Sequence, residues 1–241
     1  MDDPIAPGAD RGAAVDGVLF DFHWTLFDVD DDERWVSHAA RMGRIPMTPA
    51  TARRIAERMQ RARSLPGGID QVIGRDLSER AHRRAMSDWL DLAAVPPPLA
   101  RALCLRLTDP RAWHPYPETA SVLRSLVARG VPIGVLSNVG WDIRPVFARY
   151  GLNHLITAFV LSYELGVEKP APAIFRAGCA RLGTAPARTV MVGDNPVTDG
   201  GCVEAGLIGY ILPPPKPDTA RGLAPILSLA GVRTPPDPHE L

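Results

Sequence analysis

Residues of the kinds that bind or transfer anionic groups recur in this chain at one kind of place, just beyond short apolar runs. Asp21 follows Val18-Leu19-Phe20, with His23 and Thr25 close behind. Ser137 and Asn138 follow the run Val131 to Leu136, and Lys169 lies in the loop after Ala158 to Ser162. Gly193-Asp194 closes the run that begins at Thr189, with Asp199 five residues further on. An Asp after an apolar strand is most often a helix N-cap, but capping does not account for such groups at four separate strand ends. In a parallel α/β sheet, ligands bind at the carboxyl ends of the strands. Three carboxylates at that edge would repel by roughly 4 kcal/mol per pair at about 4 Å and an effective dielectric of about 20. A hard divalent cation removes that cost, and an oxygen-only ligand set suits Mg²⁺. A Lys with Ser and Asn donors beside it suits a phosphoryl group, whose charge has to be clamped from several sides. A carboxylate can also act as a nucleophile, forming an aspartyl-phosphate that water then cleaves.

The elements that must position these groups can be read from the pattern. Val18 to Phe20 reads as a buried parallel strand. The acidic segment from Asp28 to Glu33 reads as a charged hinge into a helical region. From Arg34 to about Ala112 the periodicity is helical throughout, with a helix start at Thr48-Pro49, a break at Pro66-Gly67-Gly68, an amphipathic helix from Leu77 to Leu92, and a stop at Pro96-Pro97-Pro98. Strands and helices then alternate. A helix opens at Pro117-Glu118 and ends at Gly130, and others cover Arg144 to Tyr150 and Pro172 to Leu182. Strands are expected at Val131 to Leu136, Ala158 to Ser162, Thr189 to Val192 and Gly209 to Leu212, with a last helix at Ala220 to Leu229. This alternation predicts a doubly wound parallel five-stranded α/β core, Rossmann-like, carrying an inserted all-helical subdomain. The boundaries expected are a disordered acidic leader at 1–15, the core at 16–30 and 113–232, the helical insertion at 31–112, and a flexible tail at 233–241.

Composition narrows the function classes. The 241 residues carry 27 basic and 27 acidic side chains, a net charge of +0 that argues against nucleic-acid or membrane-surface binding. No apolar run approaches the ~18 residues of a membrane span, mean hydropathy is −0.03, and no secretory signal is visible. Three scattered cysteines fit neither a disulfide framework nor a structural zinc site, and suit a reducing cytoplasm. Cys179 and Cys202 fall on expected helices and read as small core residues. The charge is segregated. Between Arg34 and Arg111 stand fifteen Arg, no Lys and seven acids, a local net of +8 against −8 elsewhere. That excess is either a set of solvated helix faces or a basic lid over a site for an anionic substrate. Only two of the 27 basic residues are Lys, Lys169 and Lys216, so Lys169 stands where a compact ammonium is wanted.

Four segments, in order, carry a resemblance. Val18-Leu19-Phe20-Asp21-Phe22-His23-Trp24-Thr25-Leu26 resembles motif I of the haloacid dehalogenase-like hydrolase superfamily, usually DxDxT. Gly134 to Asn138 resembles motif II, Gly166-Val167-Glu168-Lys169-Pro170 motif III, and Val190 to Asp199 the GDxxxxD motif IV. The resemblance runs from about Val18 to Leu212, and the helical insertion is similar to the family's C1-type cap. It implies a Mg²⁺-dependent phosphatase acting on a small phosphorylated metabolite. Asp21 would be nucleophile and metal ligand, and the His23 backbone carbonyl a second ligand. Ser137 and the amide of Asn138 would hold phosphoryl oxygens, and Lys169 would neutralise charge between nucleophile and phosphate. Asp194 would bind the metal, and Asp199 would bind or orient it.

Two departures bear on the chemistry. His23 stands where the family has its second motif I Asp, the acid and base of the reaction, and Trp24 stands where a Gly is usual. A backbone carbonyl ligates metal whatever its side chain. Imidazole, which ordinarily titrates near 6.5, can carry the proton, a role worth roughly 10²–10⁴-fold in rate; alternatively His23 only packs. Trp24 either touches substrate or packs under the helices. Trp35, His38, Arg41, Arg53 and Arg54 in the insertion, and Trp141 and Asp142 after motif II, are further candidates for the site mouth. Hydrolytic dehalogenation of halo-acids is the competing reaction, since that branch also lacks the second Asp; it works without metal and has no need of Asp194 and Asp199. A catalytically impaired binding protein on the same scaffold is the third reading. Nothing in the sequence specifies the substrate or an oligomeric state.

Overall fold

The computed structural model describes residues 15–215 and 220–231; the expected tail and all but Val15 of the expected leader lie outside them. Val15 is not part of a leader: it is 1% exposed and its N–H donates to the Leu229 carbonyl. Five strands, β1 (Gly17–Phe20), β4 (Ile133–Ser137), β5 (Ala158–Leu161), β6 (Thr189–Gly193) and β7 (Ile208–Ile211), form a parallel sheet in the order β5-β4-β1-β6-β7. Successive crossovers leave β1 first on one side and then on the other, so the strand order switches there, and a crevice opens at the carboxyl ends. Register sets the height of the site groups. Phe20 pairs with Val135 and with Val192, which brings the residues after β1, β4 and β6 to one edge.

The strands alternate their side chains between two buried faces. Val18 and Phe20 enter one cluster with Val135, Val192 and Ile226, under α5 (Thr119–Ala128) and α9 (Pro225–Leu229). Leu19 points the other way, with Leu136, Met191 and Phe175 of α8 (Pro172–Leu182). The short helices α6 (Arg144–Arg149) and α7 (Ser162–Leu165) complete the core. The last helix is shorter than its sequence suggests, because Gly222 takes φ +91 before it.

Between β1 and β4 the chain builds helices α1 (Asp32–Met42), α2 (Pro49–Arg63), α3 (Glu79–Leu92) and α4 (Pro97–Leu107). Asp31, Thr48 and Ser78 cap the first three, each side chain accepting from a backbone N–H of the first turn. These helices have a core of their own, built on Trp35, Met59, Trp89 and Leu103. The chain leaves the sheet through β2 (Phe27–Val29) and returns through β3 (Trp113–Pro115), which pair antiparallel with Asp28 opposite His114. This two-stranded ribbon has no counterpart in the sequence reading, because three-residue strands that alternate with Asp28 and His114 carry too short a period to see.

A buried ion pair pins the helices to the end of β2. Asp30 Oδ2 accepts from Arg106 Nη2 at 2.6 Å and Nε at 3.1 Å and pairs with His38 Nδ1 at 2.9 Å, while Oδ1 meets His114 Nε2 at 3.1 Å. Burial would raise the Asp30 carboxyl, but the bonds from Arg106 and the two histidines hold it below the usual carboxylate range. Asp30→Asn leaves buried Arg106 with Asp109, at 3.2 Å, as its remaining carboxylate, so the unfolding free energy should fall by no more than the roughly 3–5 kcal/mol of a fully broken buried pair. The readout is the urea midpoint; a shift within error would show that the pair is inert.

Candidate active site

The residues named from the sequence converge at the edge that the register defines. Asp21 follows β1, its N–H held by the Val192 carbonyl at 2.8 Å. Its Oδ1 accepts from Lys169 Nζ at 2.8 Å, and the same ammonium donates to Asp199 Oδ1 at 2.5 Å. All three side chains are buried. Asn138 fixes the lysine: its Oδ1 accepts from the Lys169 N–H at 2.7 Å and its Nδ2 donates to the Lys169 carbonyl at 2.9 Å. The Asn138 side chain is therefore spent on positioning the lysine. Asp199 is tied on its other oxygen by the Asn195 N–H at 2.9 Å. It fits only because residue 193 is Gly, since a Cβ there would lie 2.2 Å from Asp199 Cγ. Ser137, buried at the end of β4, completes the edge.

Asp21, Asp194 and Asp199 each offer a carboxylate oxygen within 4.8 Å of the others. One ammonium faces three carboxylates, and the electrostatics show the excess. Burial and the charges of Asp21 and Asp199 push the Asp194 carboxyl up to about 6. Burial also raises Asp21, against the pull of Lys169. Burial alone would lower Lys169, but Asp199 and Asp21 hold it above the ordinary range. This donor set is all oxygen, anionic and convergent, and it fits a hard divalent cation.

His23 lies at the floor of a cavity of about 150 Å³ between the strand ends and the helices, with Ser137 and Asn138 beside it. Its ring packs on Trp24 at 4.6 Å and edge-on to Trp113 at 5.2 Å, and its buried Nε2 has no hydrogen-bond partner, Asp28 Oδ1 being 3.8 Å away. Thr25 is fully buried with its Oγ1 likewise unpartnered. Trp24 does not line that cavity; it is 42% exposed and takes φ +57. The left-handed backbone gives a physical reason for the glycine that the motif usually has here.

Of the further candidates, Trp35 and Trp141 line the cavity. His38 is engaged by Asp30, Arg53 pairs with Glu33 and Arg54 reaches Thr51 on the surface, Arg41 is exposed, and Asp142 pairs with Arg144. The arginine excess is not a basic lid over the site. Arg63 and Arg75 are the arginines that line the cavity, and both are paired, with Asp70 and with Asp76. Sequence reasoning missed Trp89, Trp113, Asp76 and His82 on the cavity wall. Their spacing is that of ordinary helix and ribbon residues, and only the packing of the helices on the sheet gathers them.

A parallel sheet presenting acids and a lysine at its switch point, roofed by inserted helices, defines a hydrolase of one superfamily. The chain belongs to the haloacid dehalogenase-like hydrolases, whose family model matches residues 15–202. It is 34% identical over 123 residues to a phosphoserine phosphatase of Thermus thermophilus, covering 50% of this chain and 48% of that protein. The chain thus spans about half the length of that relative. Over a longer stretch, 78% of this chain and 84% of the other, it is 29% identical to haloacid dehalogenase-like hydrolase domain-containing protein 3 of Danio rerio. Among solved structures it shares the fold of the L-2-haloacid dehalogenase of Xanthobacter autotrophicus with chloropropionic acid covalently bound. That match has a TM-score of 0.62 at 21% identity, covering 91% of this chain and 85% of that one.

Two stability experiments test the geometry. A carboxyl raised from 3.8 to about 6 costs nothing below the lower value and its full penalty above the higher one. Asp194→Asn should therefore raise the calorimetric midpoint of EDTA-treated protein near neutral pH and leave it unchanged near pH 4. An equal effect at both pH values would contradict the crowding of the three carboxylates. Trp24→Gly relieves a left-handed penalty of roughly 1–2 kcal/mol against a glycine entropy cost of roughly 0.5–1 kcal/mol. The midpoint should hold or rise; a loss of the roughly 3–5 kcal/mol typical of truncating a packed tryptophan would make the indole a structural prop.

Proposed function

We propose that the chain is a Mg²⁺-dependent phosphatase that removes phosphate from a small phosphorylated substrate through an aspartyl-phosphate on Asp21. The observation that carries this reading is the convergence of Asp21, Asp194 and Asp199 within 4.8 Å around a single ammonium. The three carboxylates, with the His23 backbone carbonyl, would hold the ion, which when bound would neutralise the acids and the phosphoryl oxygens they face. Hydrolytic dehalogenation has no use for that many acids.

Each residue then has a task. The Asp21 carboxylate attacks phosphorus; the new O–P bond forms as the ester O–P bond breaks. Ser137 and the backbone amide of Asn138 hold phosphoryl oxygens, and Lys169 keeps the attacking carboxylate oriented and offsets the charge building on it. The departing alkoxide takes its proton from His23, which lines the cavity and whose Nε2 lies 3.8 Å from Asp28 Oδ1. Water then gives a proton to His23 as it attacks the acyl phosphate, and phosphate leaves.

Phosphate release from p-nitrophenyl phosphate should require Mg²⁺ and vanish in Asp21→Asn. Turnover indifferent to EDTA, with halide released from chloroacetate, would replace this reading with dehalogenation. His23→Ala should lose roughly 10²–10⁴-fold with an alkyl phosphate and far less with p-nitrophenyl phosphate, whose leaving group needs no proton. Equal losses on both would remove His23 from the acid role.

A further inference from the structure

We infer that the cavity above His23 receives the alcohol part of the substrate, and that this part is a compact, flat, uncharged ring, aromatic or heteroaromatic, rather than a carboxylate-bearing or polyhydroxyl alcohol. The inference rests on the phosphatase reading and names its substrate class. The cavity meets the reacting edge at His23, Ser137 and Asn138 but is not lined by Asp21, Asp194 or Lys169. A phosphoryl group at the carboxylates therefore leaves its ester substituent in the cavity. The volume, about 150 Å³, is that of a cavity able to hold benzene.

The walls favour a π-face. Trp35 and Trp89 stand 6.1 Å apart at 26° on the helical side, and Trp113 and Trp141 lie 5.6 Å apart on the core side. Such surfaces gain from offset or edge contact with another ring. The charges disfavour an anion. Arg63 donates to both oxygens of Asp70, at 3.1 and 3.2 Å, and Arg75 Nε donates to Asp76 at 3.1 Å. Asp32, half-buried on the same wall, has its carboxyl raised by burial. A carboxylate on the substrate would meet Asp32 and Asp76 and arginines already taken. Asp32 and Asp76 stand against Arg63 and Arg75 on this wall, so it offers no net charge of either sign for a charged alcohol to pair with.

Two buried polar atoms on this wall have no partner, Trp35 Nε1 and His82 Nε2. Trp35 is 5% exposed. His82 Nδ1 lies 2.8 Å from Asp76 Oδ1. Burial would raise Asp76, but its bond to His82 and the charge of Arg75 hold it low, so it is an acceptor. That makes Nδ1 the donor and leaves Nε2 as the ring position without a partner. A pyridine-type ring nitrogen would accept from Trp35 Nε1, and a phenol-type hydroxyl, which both donates and accepts, would pair with either atom; a bare polyol would leave most of its hydroxyls against tryptophan.

The test ranks kcat/KM of the whole protein with Mg²⁺ on alkyl esters whose leaving groups need similar protonation: benzyl, pyridylmethyl, glycerol and choline phosphates, phosphoglycolate and phosphoserine. The two ring esters should lead by at least about tenfold. Leadership by phosphoglycolate, phosphoserine, glycerol phosphate or choline phosphate overturns the inference, as does cleavage of acetyl phosphate with none of the esters. If acetyl phosphate is also untouched, the phosphatase reading fails separately, and tryptophan fluorescence decides the subsite. Saturable quenching by benzylphosphonate and not by phosphonoacetate supports it; quenching by neither, or by phosphonoacetate, overturns it. Trp35→Phe keeps a ring but removes the N–H, and should raise KM for pyridylmethyl phosphate several-fold relative to benzyl phosphate; an unchanged ratio removes Trp35 as the polar contact.

Discussion

One ammonium shared between two buried carboxylates holds the carboxyl edge of the sheet together. Lys169 Nζ touches Asp21, which follows the central strand, and Asp199, which follows the neighbouring strand's loop, so a single point charge ties two loops that would otherwise repel. A guanidinium is a planar fork that favours one bidentate partner; an ammonium on a flexible stem can sit between two. In a chain whose other basic residues are all Arg except Lys216, that geometric demand accounts for the Lys at this position. The demand reaches backward too. Lys169 is in place because Asn138 gives up both ends of its side-chain amide to the lysine's backbone, and Asp199 because Gly193 has no Cβ.

The compensation is partial, and that incompleteness is itself informative. Asp194 stays half-buried beside two other acids, and burial and their charges hold its carboxyl up at about 6. The folded chain carries this cost in the absence of a counter-ion. Sites of this kind trade stability for function, and the five-stranded core beneath, sealed on both faces by fully buried Leu19, Phe20, Val135 and Val192, supplies the margin.

Much of this was legible in the sequence. The strands β1, β4 and β6 are apolar runs that end at a polar residue, so Asp21, Ser137 and Asp194 could be placed at strand ends, and α8 could be bounded at Pro172 and Leu182 by its proline start and glycine stop. The helical insertion was legible from its period. What stayed hidden depends on pairing between elements. The β2–β3 ribbon is too short to show alternation. Arg63 with Asp70 and Arg75 with Asp76 turn an apparent cationic surplus into neutral contacts, which no local count of charges detects. Trp35 and Trp141 could be named as candidates for the site mouth, but Trp89 and Trp113 read as core, and that all four face one cavity depends on how separate stretches of chain pack. Trp24 was visible as a departure, but that its backbone is left-handed and its indole half in solvent is a property of the turn after β1.

The ribbon has an evolutionary corollary. Because Val29 lies opposite Trp113, the exit and re-entry of the helical stretch are next-door neighbours, and the whole excursion hangs from the barrel-less sheet like a bracelet from its clasp. Its length, helix count and wall chemistry can therefore be exchanged by recombination at a single doorway without altering any strand that carries the acids. In such an architecture the sheet that carries the acids and the helices that wall the cavity can change independently of one another.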